Sequence, residues 1–289
     1  MHPILFSIGN FPVHTYGAIL ALAISLGLTF AGWLGHKKGY DGFEIADIGL
    51  WSAIIGILGA RFCYVIQYAD HYFSQPLEIL NFRAGGITII GALIFGNLAL
   101  VWLCRKYKLS PWLCLDLYAA PLLLGMALGR LGCLMEGCCY GKKCADTFFF
   151  GIVYPAAAQL GAFHRHPVQI YELLLDLILM GVCLWFLKRQ KFQGQTFWAL
   201  FAGYGLIRFT TEFFRESRML SVFSLAQWVC LLIFAVGLCG VLGRFGRPAL
   251  AAPSEEDKSE GAAAESLGAA EAQGGSPKAS ASADSAAKG

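Results

Sequence analysis

Apolar residues fill this chain in long, nearly unbroken blocks. They show neither the strict alternation of half-buried strands nor the one-sided stripe of a surface helix. Seven blocks are long enough to cross about 30 Å of hydrocarbon as helices: residues 16–34, 45–67, 87–104, 112–135, 168–187, 196–214 and 222–243. The third is interrupted by glycines in GGITIIGALIFG (85–96). Such small residues predict either close helix packing or a backbone break around a cavity.

Shorter patterns flank these blocks. The first fourteen residues, MHPILFSIGNFPVH, alternate around Gly9-Asn10 and predict a short hairpin on the outer surface. Pro12 confines its strand to an edge. The start has neither the basic residues nor the cleavage site of a signal peptide. Residues 144–167 are polar and aromatic, with Pro155 and Pro167, and predict a small periplasmic cap. From residue 249 onward Ala, Ser, Glu, Gly and Lys take over without aromatics. Residues 249–289 are therefore expected to be a disordered cytoplasmic low-complexity tail behind a transmembrane domain spanning 1–248. The fold class expected is an all-α integral membrane protein of about seven transmembrane helices, with the cap and the hairpin.

Composition sharpens this. The 289 residues are 57% hydrophobic and 14% charged, whereas soluble domains carry about 25% charged residues. Lys37, Lys38, Arg105, Lys106, Lys108, Lys188, Arg189, Lys191, Arg244 and Arg247 fall in one set of loops. Arg83, Lys142, Lys143, Arg165, Arg215 and Arg218 fall in the other. Basic loops stay inside, so ten against six predicts an outer N-terminus and an inner C-terminus. The net charge of +3 is spread along loops and gives no nucleic-acid footprint. No internal repeat or chain of intramembrane carboxylates suggests a transporter.

Chemistry enters where ionisable groups interrupt the apolar blocks. GRLGCLMEGCCYG (129–141) sets Arg130, Glu136 and three thiols at the end of the fourth block. Insertion of such groups costs about 2.5–3.5 kcal/mol each, so they face partners or wet cavities. Arg61 lies deep in the second block. Arg208 and Glu212 stand one helical turn apart, as do Glu172 and Asp176, so each pair shares a face. Arg215 lies two turns past Arg208, and His14 and Tyr16 open the first block. These groups read either as ion pairs that fix helix orientation or as an anion site. Arg61, Arg130 and Arg208 all lie in the outer half with few carboxylates beside them. A planar, always-charged guanidinium suits phosphate, and the obvious phosphate in a membrane is a phospholipid headgroup.

Of ten cysteines, Cys63, Cys104, Cys114, Cys183, Cys230 and Cys239 lie in or beside the blocks and read as small hydrophobes. Cys133, Cys138, Cys139 and Cys144 cluster near the long outer loop, where an oxidising compartment permits disulfides. Spacings of five, one and five residues do not match paired C-x-x-C zinc knuckles. A disulfide from Cys144 to Cys138 or Cys139 fits better, and no metal or other cofactor is expected.

Five separated segments resemble the prolipoprotein diacylglyceryl transferases of bacterial inner membranes: VHTYG (13–17), GARFCYV (59–65), the glycine-rich stretch 85–96, RHPVQIYE (165–172) and GYGLIRFTTEFFR (203–215). The resemblance covers roughly residues 4–243 in order and spacing. It implies transfer of the diacylglyceryl group of phosphatidylglycerol to the thiol of a lipobox cysteine in a prolipoprotein signal peptide, giving a thioether and releasing glycerol phosphate. It assigns Arg130 and Arg208 to the phosphate, with Arg61 and Arg215 as supports and Glu212 orienting Arg208. Gly141 belongs to the same lipid-binding signature.

The chain also departs from that family. The usual signature is G-R-x-G-N-F-x-N-x-E-x-x-G. Here Gly129, Arg130, Gly132 and Gly141 remain, while Cys133, Leu134, Glu136 and Cys138 replace Asn, Phe, Asn and Glu. Ile90 stands where the family commonly has a histidine. A base for the acceptor thiol must then come from His14, Glu136 or Cys138. Imidazole, with a pKa of about 6.5, suits the task best, and Tyr16 beside it could orient substrate. Two other readings stay open: a paralogue that binds an anionic phospholipid and modifies another acceptor or none, and a thiol-redox or metal-binding membrane protein.

Overall fold

The computed structural model describes residues 4–8, 11–80, 86, 88–154, 163–215 and 223–248. The expected tail, together with Arg83 and Arg218, lies outside them. The chain opens on a hairpin in which β1 (Ile4–Ile8) pairs antiparallel with β2 (Phe11–His14). Pro12 faces Ser7 in this two-stranded ribbon, where a missing N–H breaks no inner ladder.

Helix α1 (Thr15–Lys37) follows directly, then α2 (Gly42–Gln67). Asp41 caps α2 by accepting from Phe43 N at 2.7 Å, which satisfies one of the free first-turn donors. A short α3 (Ala69–Ser74) and a 3₁₀ turn (Pro76–Leu80) lead to α4 (Ile89–Lys106) and α5 (Pro111–Glu136). Strands β3 (Ile152–Val153) and β4 (His164–Arg165) pair antiparallel before α6 (Val168–Lys188). Then come β5 (Phe192–Gln193), α7 (Gln195–Glu212), α8 (Leu225–Leu242) and β6 (Arg247–Pro248), which returns to β5. Ser224 and Gln227 start α8 with a reciprocal capping box.

This is an all-α integral membrane protein, and the strands among the described residues are short pairs at helix ends. Helices α1, α2, α5, α6 and α8 are each long and apolar enough to cross a membrane. Helices α4 and α7 have 18 residues each. Helix α5 is the hub, packing against α1, α6 and α7, while α2 pairs with α4 and α7 with α8. Leu113, Cys114, Leu117, Ala120 and Leu123 of α5 form the centre of the core. Leu20, Trp33, Ile54, Leu98 and Trp102 point outward, which suits hydrocarbon as solvent. The glycine-rich stretch resolves as close packing in its described part: a Cβ on Gly91 would meet Gly59 O at 2.6 Å.

One end of α5 is pinned by Asp116, which is fully buried. It accepts from Gly194 N at 2.5 Å, from Phe197 N at 2.8 Å and from the Gln190 amide. The N-terminus of α7 is thereby fixed to α5. The other end of the same helices carries the site.

Candidate active site

At that end α5, α6 and α7 bring three guanidiniums to one carboxylate. Glu172, in the first turns of α6, is 2% exposed and lies with Oε2 2.6 Å from Arg130 Nε. Its Oε1 accepts from Arg208 Nη1 and, at 3.1 Å, from the Thr211 hydroxyl. Arg215 Nη1 stands 3.6 Å from the same oxygen. Glu212 Oε2 lies 3.6 Å from Arg208 Nη2. Among these contacting groups, three positive charges meet two negative ones. Asp176, one turn past Glu172, is 1% exposed, and its Oδ1 has no hydrogen-bond partner.

Exposure separates the roles. The carboxylate is sealed, but the side chains of Arg130, Arg208 and Arg215 are 21%, 21% and 25% exposed. Arg215 Nη1 is itself buried without a hydrogen-bond partner. Glu172 therefore holds the three guanidiniums together while each arginine side chain stays partly exposed.

The signature loop locks this arrangement. Gly141 N donates to His166 O at 2.9 Å, Lys142 N to Phe214 O at 2.7 Å and His166 N to Lys142 O at 3.0 Å. Those bonds tie the segment after α5 to the start of α6 and the end of α7. A Cβ at Gly141 would meet Phe214 O at 2.5 Å and His166 O at 2.9 Å, so only glycine fits. Arg165, 3% exposed, stacks over Tyr140 at 4.8 Å and donates to Gly141 O at 3.3 Å.

Beside the guanidiniums lies a cluster of thiols. Gly137 ends α5 in the left-handed region at φ 74°, and Cys138 N reaches back to Cys133 O at 3.1 Å. The turn folds Cys138 and Cys139 over the last helical turn, leaving the sulfurs of Cys133, Cys138 and Cys139 within 4.8 Å of one another. Gln169 holds the turn by donating to Cys138 O at 2.6 Å, and Tyr154 donates to Gln169 at 3.0 Å. A hydrogen bond from Cys133 pushes the exposed Cys139 thiol down to about 5, with help from Cys138, Arg215 and Arg130, while burial opposes the shift. Burial pushes the Cys138 thiol up. The Tyr16 ring borders the cluster, since a Cβ on Gly132 would meet it at 3.0 Å.

Several expected residues stand elsewhere. Arg61 donates to Ile79 O at 3.0 Å, Gly86 O at 2.9 Å and Glu78 O at 2.6 Å, and lies over Tyr72 at 5.3 Å. These bonds tie Arg61 to the segment between α3 and α4. His14 is exposed at the junction of β2 and α1, and its side chain has no hydrogen bond or ion pair among the described residues. Glu136 is not the partner of Arg130; its Oε2 is buried without a hydrogen-bond partner. All ten cysteines are free thiols, and Cys144 lies against Gly151, apart from the three-sulfur cluster. Glu172, the centre of the site, was legible in the sequence as half of a same-face acidic pair with Asp176 and as the end of the family-like RHPVQIYE segment, but not as the partner of the arginines.

A model of the prolipoprotein diacylglyceryl transferase family matches residues 3–242. The chain belongs to this family. Among curated relatives, a phosphatidylglycerol–prolipoprotein diacylglyceryl transferase of Clostridium tetani is 30% identical over 241 residues, covering 82% of this chain and 96% of that protein. Proteins of the same name from Paracidovorax citrulli and Pediococcus pentosaceus are 31% and 32% identical, covering 82% and 84% of this chain and 93% and 89% of theirs. Family membership covers every element of the site, from the hairpin to α8.

Proposed function

We propose that this chain moves the diacylglyceryl group of phosphatidylglycerol onto the lipobox cysteine of prolipoproteins, the first step of bacterial lipoprotein maturation. The observation that carries the reading is the trio Arg130, Arg208 and Arg215 on one sealed carboxylate, each partly open to a ligand. The acceptor sulfur attacks the glycerol carbon bearing the phosphate. The C–O bond breaks, its electron pair leaves with the phosphate oxygen, and glycerol phosphate departs. Arg130 and Arg208 meet the charge growing on those oxygens and Arg215 supports them. Such fixed cations act strongly because they need no reorganisation in a water-poor site. Glu172 holds the forks, Glu212 orients Arg208, and Tyr16 lies where it can position the acceptor beside the thiols.

The reading places the protein in the bacterial inner membrane with seven spans, α4 and α7 included. The hairpin and the 137–167 segment then face the periplasm and residues 249–289 the cytoplasm. Complementation tests it. In a bacterium depleted of its resident transferase, expression of this chain is expected to restore thioether-modified lipoprotein. Unmodified precursor accumulating despite good membrane expression would overturn the reading.

A further inference from the structure

The acceptor thiol must lose a proton before it can attack, because thiolate is the nucleophile. Asp176, the acid of the arginine site whose Oδ1 has no hydrogen-bond partner, is sealed at 1% exposure, and the residues that the sequence offered as bases are no better placed. Ile90 is 62% exposed and apolar, the His14 side chain has no polar contact among the described residues, and Glu136 points a buried oxygen at no hydrogen-bond donor. What does stand beside the guanidiniums is a set of three sulfurs.

We propose that Cys133, Cys138 and Cys139 bind a zinc ion through their sulfurs and offer its fourth position to the acceptor thiol, so that coordination takes the place of a side-chain base. This rests on the transferase reading above. Zinc holds sulfur at about 2.3 Å, which sets neighbouring sulfurs about 3.8 Å apart in a tetrahedron, and catalytic sites keep three protein ligands with one position open. The three sulfurs already lie within 4.8 Å of one another, so only a small contraction is needed. The turn that gathers them is held in place by local structure. It combines the left-handed Gly137, a second left-handed residue at Cys139 with φ 61°, and the Gln169 clamp on the Cys138 carbonyl. A non-glycine residue in that backbone region is costly and tends to mark function. Sequence spacing hides the site, because Cys138 and Cys139 are adjacent and Cys133 belongs to the helix.

Charge favours the arrangement. Zinc with three thiolates carries one net negative charge, and a bound acceptor thiolate makes it two. Arg130 and Arg215 are close enough to act electrostatically on these sulfurs, so the metal–thiolate group is an anion among cations. The same guanidiniums reach the lipid phosphate, which brings the sulfur and the carbon it attacks to one place.

The step balances without an oxidant or reductant. The acceptor S–H binds zinc and gives its proton to water at the exposed Cys139 edge, as a metal-coordinated thiol is deprotonated outright. The C–S bond forms as the C–O bond breaks, and the electron pair stays on phosphate. The thioether product is a poor ligand and leaves, reopening the fourth position.

The test uses the full chain, purified in detergent and reconstituted with phosphatidylglycerol. Elemental analysis after zinc loading is expected to give one zinc per chain, retained in Cys239→Ser and lost in Cys138→Ser and Cys139→Ser. With cobalt in place of zinc, a thiolate-to-metal charge-transfer band is expected without mutation. It should strengthen on adding a lipobox peptide, but not the same peptide with its cysteine alkylated. Chelation is expected to slow thioether formation by about a hundredfold, with zinc restoring it. Wild-type chain that lipidates at full rate while metal-free overturns the zinc inference and leaves the transferase reading intact. Failure of the chain to take up zinc or cobalt, or a cobalt band indifferent to the peptide thiol, overturns it equally. A peptide-responsive cobalt band with no lipidation supports the metal site and instead counts against transfer from phosphatidylglycerol.

Discussion

Glu172 Oε2 lies 2.6 Å from Arg130 Nε, across the interface between α6 and α5. The pair joins two helices whose local sequences carry no hint of one another. Because Glu172 also accepts from Arg208 of α7, one carboxylate ties three helices at the same depth. It seats guanidiniums that would otherwise splay apart in a membrane interior. A sealed acid among partly exposed guanidiniums is the arrangement on which the proposed phosphate site rests.

Glu172→Gln keeps the shape of the side chain and removes its charge. Breaking a buried pair from one side costs about 3–5 kcal/mol, and here the guanidiniums lose their common partner. We expect a lower melting temperature in detergent and lipidation reduced about a hundredfold or more. An unchanged melting curve with unchanged lipidation would remove Glu172 from its central place.

Gly141→Ala should damage the site through backbone alone. The new methyl would sit 2.5 Å from Phe214 O and 2.6 Å from Val168 Cγ2, and overpacking of this kind costs about 1–3 kcal/mol. Gly129 is the contrast, since a Cβ there meets nothing within 4 Å. Gly129→Ala is expected to keep or slightly raise the melting temperature, because alanine favours helix by up to about 1 kcal/mol. Equal melting of the two variants would contradict the packing described for Gly141.

Cys139 should behave as a thiolate at neutral pH in metal-stripped protein. Its thiol is pushed down to about 5, so the charged, reactive form persists above that pH and is lost as pH falls through it. Alkylation of Cys139 is expected to run at a flat rate between pH 6 and 8, values about one and three units above its pKa, and to fall below pH 5. Cys138, pushed up by burial, should react faster as pH rises. Mass spectrometry after brief alkylation resolves the two, and a Cys139 rate that still climbs between pH 7 and 8 would contradict the assignment.

Much of the architecture was legible before any coordinates. Apolar block length marks the helices, and alternation around Gly9-Asn10 marks the hairpin. The one-turn spacing of Arg208 and Glu212 shows a shared face, because helix geometry makes it local. Contacts between helices are not local, so nothing in the α6 segment announces that Glu172 gathers arginines from α5 and α7. Depth and the family-like GARFCYV segment grouped Arg61 with Arg130 and Arg208, and the structure adds that a returning loop supplies Arg61 with backbone carbonyls. The thiol cluster was legible, but not which sulfurs meet, since Cys144 was grouped with the other three and lies apart from them. A left-handed turn at Gly137 brings Cys133 back to residues that linear spacing sets apart.

The central claim is that the Arg130, Arg208 and Arg215 cluster holds the phosphate of phosphatidylglycerol while a thiol takes its glycerol carbon. The most direct measurement incubates the purified chain in phosphatidylglycerol vesicles with a lipobox peptide and follows the peptide by mass spectrometry. The account predicts a gain of one diacylglyceryl group on the cysteine, with the glyceryl thioether surviving base removal of the acyl chains. Arg208→Lys should lose about a hundredfold in rate, since an ammonium cannot reproduce the guanidinium fork. Folded wild-type chain that leaves the peptide unmodified, or an Arg208→Lys chain working at the full rate, would contradict it.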